Sequence, residues 1–308
     1  MTKVFIDGSA GTTGLRIRER LSARSDITLL TLPDEKRKDP AARAERFAEA
    51  DVAFLCLPDD AAREAVGLIG DAKTVVIDTS TAHRVSPDWT YGFAELAGQR
   101  EKIAKAKRIA NPGCHASGFV SLVAPLVSAG LLDKDASLAC FSLTGYSGGG
   151  KKMIAEYEDP ANAARLQAPR IYGLSQTHKH LPEMQLIAGL THPPIFAPIV
   201  SSFYAGMAVT VELPSELLKG TRSDVIDLYR TVYRGPIVSW SGAADADGLL
   251  SAGVFAGRDD MEISVFGNDE RILLVSRFDN LGKGASGAAI QNMNIALGLS
   301  ETTGLVLG

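Results

Sequence analysis

Through the first 110 residues, short apolar runs alternate with stretches of helical period, and this alternation restricts the fold more than any other feature of the chain. Val4-Phe5-Ile6 ends at Asp7-Gly8, and residues 27–32, 51–57, 74–77 and 107–110 repeat the strand-like theme. Helix-period stretches fall between them, at residues 13–23, 41–50 and 60–69. Short apolar strands separated by helices imply parallel βαβ units. From Cys114 onward a helix is expected, with Phe119, Leu122, Val123, Leu126 and Val127 on one face. Beyond it the pattern changes. Residues 137–143, 207–213, 262–266 and 271–278 alternate as strands with fewer helices between them, which predicts an antiparallel sheet. A last helix is expected at 285–297. The chain reads as a Rossmann-type doubly wound α/β domain followed by an α+β domain.

The 308 residues are enough for two substantial cores. Apolar residues make up 45% and charged residues 22%, a balance that argues against disorder. A net charge of −4 does not suit a nucleic-acid partner. The opening MTKVFIDGSAG has neither the apolar region nor the cleavage site of a signal peptide, and no apolar run is long enough to span a bilayer. Cys56, Cys114 and Cys140 cannot make a disulfide framework and lack zinc-like spacing, so no metal site is expected. This fits a reducing cytoplasm.

Three stretches carry chemistry. The first, Gly8-Ser9-Ala10-Gly11-Thr12-Thr13-Gly14, follows the first strand and opens the first helix. Glycines there let the backbone approach a pyrophosphate at the positive helix end. After the second strand, Asp34 could accept from a ribose hydroxyl, whereas Lys36, Arg37 and Lys38 suit the extra phosphate of NADP(H). The second stretch is Asn111-Pro112-Gly113-Cys114. Cys56 and Cys140 sit in apolar runs and read as core thiols, but Cys114 follows a turn and starts a helix, where the thiolate is favoured. His115 is adjacent, although at a helix start its side chain is expected to point elsewhere. The third stretch holds His178 and His180, with Pro182 and Glu183 in the first turn of the next helix, where Glu183 could orient an imidazole. A Ser-Gly-rich loop at residues 144–152, containing Ser147, suits an anion or a substrate carboxylate.

Taken together and in this order, these motifs resemble the N-acetyl-γ-glutamyl-phosphate reductases of arginine biosynthesis, relatives of the aspartate-semialdehyde and glyceraldehyde-phosphate dehydrogenases. DTSTAHR (78–84), YGFAEL (91–96) and DNLGKGASGAAIQNMN (279–294) resemble further family segments, and the compact length and PPIFAPIVSSFYAGM (193–207) resemble its shorter branch. The resemblance implies domains at 1–113, completed by a helix at 285–308, and at 114–284, the latter for catalysis and oligomerisation. It implies that Cys114 is the nucleophile and that a histidine of the pair is the acid/base, with His180 favoured over His178. Glu183 would support it. Arg84 would meet the substrate phosphate, with Ser147 and His178 also on the substrate. The glycine loop, Arg37, Ser80, Gly284 and Asn292 would hold NADP(H). A homo-oligomer, dimer or tetramer, is implied as well. Two departures stand out: His115-Ala116-Ser117 replaces the Tyr-Pro-Thr common after the cysteine, and Ala94 replaces a proline.

The reaction so implied is NADPH-dependent reductive dephosphorylation of an acyl phosphate through a cysteine thioester. Two other readings compete with it. One is a sibling dehydrogenase acting on aspartyl phosphate or a phosphorylated sugar aldehyde. The other is a nucleotide-sensing protein that has lost turnover, against which an intact Cys114 and HxHxPE argue.

Overall fold

The computed structural model describes residues 1–70 and 73–308. Its backbone contacts group residues 1–94, 98–112 and 285–305 into one compact unit, and 95–97, 113–284 and 306–308 into another.

The first unit is a six-stranded, wholly parallel sheet. Its strands are β1 (Thr2–Asp7), β2 (Ile27–Leu30), β3 (Val52–Leu55), β4 (Val75–Asp78), β5 (Thr90–Tyr91) and β6 (Arg108–Ala110), in the order β2-β1-β3-β4-β6-β5. The central strands β3 and β4 are buried at every position, which explains why they read as continuous apolar runs. Helices α1 (Thr12–Ser22), α2 (Pro40–Glu49), α3 (Asp59–Ile69) and α4 (Gln99–Lys105) connect the strands. They divide between two cores. Ile17 and Leu21 of α1 and Ile103 of α4 join Val4, Phe54 and Ile77 on one side. Phe47 of α2 and Ala65 and Ile69 of α3 join Phe5, Leu55 and Val76 on the other. The last helix, Gly287–Ala296, adds Ala289, Ile290 and Met293 to the α1 side. A five-residue π-turn, Gly282–Ser286, precedes it.

The second unit begins with α5 (Cys114–Ser128) and carries strands β7 (Ala139–Gly145), β8 (Arg170–Ile171), β9 (Ile195–Ser201), β10 (Met207–Pro214), β11 (Val238–Trp240), β12 (Met261–Gly267) and β13 (Arg271–Phe278). They form one sheet in the order β11-β12-β13-β10-β7-β9-β8. The expected antiparallel sheet is corrected here to a mixed one: β7 pairs parallel with β9, and β11 parallel with β12. The 49 residues between β7 and β9 carry α6 (Gly150–Glu158), α7 (Ala163–Leu166), β8 and α8 (Leu181–Ala188), and a crossover of that length is what a parallel pair needs. Helix α9 (Arg222–Val232) starts at a capping box of Thr221 and Asp224. Helix α5 also departs from expectation. It is not one-sided, because every residue from His115 to Leu126 is buried, as in a helix enclosed by its own domain.

Candidate active site

Cys114 is the first residue of α5, after an extended Gly113 that contributes no side-chain cap. No acid of α5 itself occupies its first turn. The thiol is half-buried. Glu183, in the first turn of α8, is itself buried, and its carboxylate accepts the Gly113 N–H at 2.8 Å. A charge-assisted bond of this kind fixes the turn that presents the Cys114 thiol. Gly284 closes the other side. A Cβ at that position would lie 2.9 Å from the Cβ of Cys114, so only glycine leaves the thiol its place.

The ring centres of His178 and His180 are 4.8 Å apart, and the His180 backbone N–H donates to His178 Nδ1 at 3.2 Å. His115, set aside on sequence grounds, turns into the same cluster, 5.7 Å from His178 and 5.5 Å from His180. Its Nδ1 lies 2.6 Å from Ser142 Oγ and its Nε2 lies 2.6 Å from Tyr172 Oη. Burial, and then the neighbouring His178, push the His115 imidazole down to about 3. Burial, and then Lys179, push His178 down to about 4. Both rings are therefore neutral near pH 7. Burial foremost, with the charge on Cys114 adding to it, raises the Tyr172 phenol above its ordinary range. Cys56 and Cys140 are the opposite of activated thiols: burial pushes Cys56 up to about 12 and Cys140 higher still. Ser142 and Tyr172 carry no sequence signal, and His115, expected to point elsewhere, is corrected here to a member of the cluster. They lie on a strand, a loop and a helix far apart in sequence, and only the fold brings them together.

Ser147 is buried in a 3-10 turn, and its Oγ accepts from Asn280 Nδ2 at 3.0 Å. Arg84 is buried in the first unit, where its Nε donates to the Asn111 carbonyl at 2.9 Å and its Nη2 to that of Thr79 at 3.0 Å. Ser80 donates to Asp78 at 2.7 Å, just beyond β4.

A cavity of about 420 Å³ opens beside the glycine loop within the first unit. Of the residues expected to hold a cofactor, Gly8, Ser9, Ala10 and Arg37 line it. Gly8 has a left-handed φ of +86°, and a Cβ there would strike the Cys56 carbonyl. Gly14 lies so close to the loop that a Cβ would sit 2.5 Å from the Gly8 carbonyl. Gly11 is the N-cap of α1 and offers no side-chain cap, and the first turn, with Thr12 and Thr13, holds no acid. This is a backbone cradle open to an anion. Arg18 and Lys38 line the cavity with Arg37, while Lys36 does not. Arg37 also pairs with Asp34 at 2.7 Å. Arg18 was not expected here, since the 2′-phosphate signal lies in the loop after β2, yet it sits one helical turn after Gly14 on the same face of α1. Asn292 of the last helix donates to the Gly92 carbonyl at 2.9 Å and to Asn111 Oδ1 at 3.1 Å, while its own Oδ1 is buried with no protein donor. A carboxamide N–H would satisfy that oxygen. The cradle and this acceptor fit a nicotinamide dinucleotide. No group of histidine, cysteine and acidic residues among the described residues has the arrangement of a metal site.

Comparison with known proteins agrees with this architecture. Residues 13–106 match the family described as semialdehyde dehydrogenase, NAD binding domain, and residues 114–280 match semialdehyde dehydrogenase, dimerisation domain. N-acetyl-gamma-glutamyl-phosphate reductase from Brucella anthropi is 48% identical over 306 residues, spanning 96% of this chain and 98% of the relative. The enzyme of that name from Burkholderia ambifaria is 46% identical, spanning 97% of each chain. Among solved structures, aspartate semialdehyde dehydrogenase II from Vibrio cholerae, complexed with ASA, superposes with a TM-score of 0.73 at 16% identity over 96% of this chain and 98% of that one. Aspartate semialdehyde dehydrogenase from Francisella tularensis gives a TM-score of 0.71 at 14% identity over 96% and 99%. At such identity these two structures bear on the fold alone. No described helix is long and apolar enough to cross a membrane. With relatives this similar along nearly its whole length, the chain belongs to the N-acetyl-γ-glutamyl-phosphate reductases within the semialdehyde dehydrogenase family.

Proposed function

We propose that this protein reduces N-acetyl-γ-glutamyl phosphate to N-acetylglutamate semialdehyde, with release of phosphate, as a cytoplasmic homo-oligomeric enzyme of arginine biosynthesis. The observation that carries the reading is the thiol of Cys114 at the start of α5, its turn held by Glu183 and its helix facing the paired His178 and His180 of a chain with reductase relatives. Cys114 Sγ attacks the acyl carbon, the C–O bond to phosphate breaks, and a thioester forms on the protein. Sulfur suits this step because the thioester stays electrophilic and the thiolate later leaves well. A bound nicotinamide cofactor supplies the hydride that takes the thioester to the hemithioacetal level. His180 gives a proton to the oxygen as the thioester is reduced and takes it back as the hemithioacetal collapses to the aldehyde and frees the Cys114 thiolate. The role proposed for Arg84 is positive charge toward the substrate phosphate, with its two backbone hydrogen bonds fixing the guanidinium plane. Ser147 and His178 are proposed as further substrate contacts, and Ser80, Gly284 and Asn292 as residues of the cofactor region.

NADP(H) is the proposed cofactor, because Arg18, Arg37 and Lys38 outnumber Asp7 and Asp34 on the wall of the cavity. The test is NADP⁺ reduction with N-acetylglutamate semialdehyde and phosphate, alongside aspartate semialdehyde. Turnover of the acetylated substrate is expected. Preference for aspartate semialdehyde would make the protein the sibling dehydrogenase, and NADPH binding without any turnover would leave only the nucleotide-sensing reading.

A further inference from the structure

Beside Cys114 runs a short chain of hydrogen bonds whose direction can be worked out by counting protons. Ser142 is fully buried on β7, and His115 is 3% exposed. Among the described residues, the only hydrogen-bond partner of Ser142 Oγ is His115 Nδ1, at 2.6 Å. A buried hydroxyl proton with no acceptor is costly, so Ser142 must donate to Nδ1. A neutral imidazole carries a single N–H, and with Nδ1 accepting, that proton sits on Nε2. The ring is held neutral by its burial among His178, His180 and Phe196. Nε2–H therefore donates to Tyr172 Oη, 2.6 Å away. The phenol oxygen is then an acceptor toward His115, and its own proton must point away from His115. Among the described residues no protein acceptor takes that proton. The phenol meets, at 2.6 Å, the ring of the residue that directly follows Cys114, and the charge on Cys114 is among the causes that raise it.

We propose that Ser142 and His115 are positioning residues that hold Tyr172 as a hydrogen-bond donor directed at the reacting centre of Cys114. The donor stabilises the thiolate before attack and the oxyanion of the tetrahedral intermediate after it. No proton is transferred along the chain, so the step changes no bond beyond those already described. The inference rests on Cys114 being the nucleophile. It adds a donor from outside the α5 backbone and gives a purpose to a histidine that its neighbours keep uncharged.

Three measurements test it. The first uses the unaltered enzyme: long-range ¹⁵N–¹H spectra of histidine-labelled protein should show His115 as the Nε2–H tautomer at pH 7, and the Nδ1–H tautomer would overturn the proposal. The second is the pH dependence of iodoacetamide alkylation of Cys114, which needs no substrate. Tyr172→Phe keeps the ring but removes the donor, and should raise the midpoint by about one pH unit, the scale of a hydrogen bond to a charged group. Ser142→Ala should raise it by less, because His115 is then released to the other tautomer. A merely structural role would leave both midpoints where they are, and either an unmoved or a lowered midpoint in Tyr172→Phe would overturn the proposal. The third is turnover, where Tyr172→Phe should lower kcat by about 10–100-fold with KM changed little. An unchanged kcat in an active enzyme overturns the donor role. If the parent enzyme does not act on N-acetylglutamate semialdehyde, the proposed function fails, while the tautomer and the alkylation midpoints still decide this inference.

Discussion

The helix after the glycine loop and the helix that begins at Cys114 both open on a glycine, with no side-chain cap and no acid in the first turn. Each therefore leaves the positive end of a dipole without a cap from its own helix. The two starts differ in what surrounds them. Around Gly11 the first turn of α1 is open, with Ala10 and Gly11 exposed and a cavity alongside. Around Gly113 the turn is buried, a carboxylate already holds its N–H, and only Cys114 remains partly accessible. The same kind of helix start thus leaves room for a mobile anion where it is open and presents a single side chain, the Cys114 thiol, where it is closed. Burial decides which, because a fixed dipole acts more strongly on charge in a dry site than across water.

Removing the sulfur gives the sharpest separation of the two. Cys114→Ser should lower turnover by roughly 10³-fold or more while NADPH affinity stays within a few-fold, read by steady-state rates and by fluorescence titration of the cofactor. Near-normal rates would show that the buried helix start does not carry the chemistry. Next in size is the acid/base. His180→Asn should cost roughly 10²–10⁴-fold in kcat and His178→Asn much less. The reverse ranking would reassign the role to His178.

A matched pair of glycine substitutions probes the geometry of each start. Gly284→Ala places a methyl 2.9 Å from the Cβ of Cys114, and displacement of the thiol should lower kcat about 10²-fold, a larger effect than any loss of cofactor affinity at this residue of the cofactor region. Gly14→Ala places a methyl 2.5 Å from the Gly8 carbonyl and should do the opposite, weakening NADPH binding while Cys114 alkylates at the parental rate. If both variants lost both properties, the two helix starts would not be separable. The smallest effect is expected at the cavity wall: Arg18→Ala or Arg37→Ala should lower the NADPH/NADH ratio of kcat/KM about 10-fold. A parent enzyme preferring NADH would remove the phosphate reading altogether.

The first unit was far more legible in the sequence than the second. Its central strands are buried on both faces and its helices on one, so Val4–Ile6 and the Ile17/Leu21 spacing announce their elements directly. Strand boundaries slipped by a residue or two: β2 ends at Leu30, two residues before the apolar run does. In the second unit β9 was hidden by Pro198 within it and two prolines just before it, residues that ordinarily argue against a strand. Its parallel pairing with β7 could not be read locally, because register between strands 49 residues apart depends on how the crossover packs. At the site, Cys114 and the His178/His180 pair were visible through their turn and helix-start signals. His115 was not, because a residue beside a helix start can point several ways, and burial by Tyr172, Ser142 and Phe196 is what selects one. Glu183 was expected to support an imidazole; its carboxylate accepts the Gly113 N–H, a backbone group that carries no sequence signal.

The return of the last helix to the first unit has a consequence for how the protein is made. Ala289, Ile290 and Met293 belong to the same core as Val4, Phe54 and Ile77, although nearly the whole second unit is translated between them. During synthesis the parallel sheet therefore waits, with one apolar flank uncovered, until almost the final residues leave the ribosome. At roughly 5–20 residues per second that interval lasts on the order of ten seconds or more. For that time the nascent sheet depends on chaperones or on its own partial collapse, whereas the second unit, nearly continuous in sequence, can fold as soon as β13 has emerged.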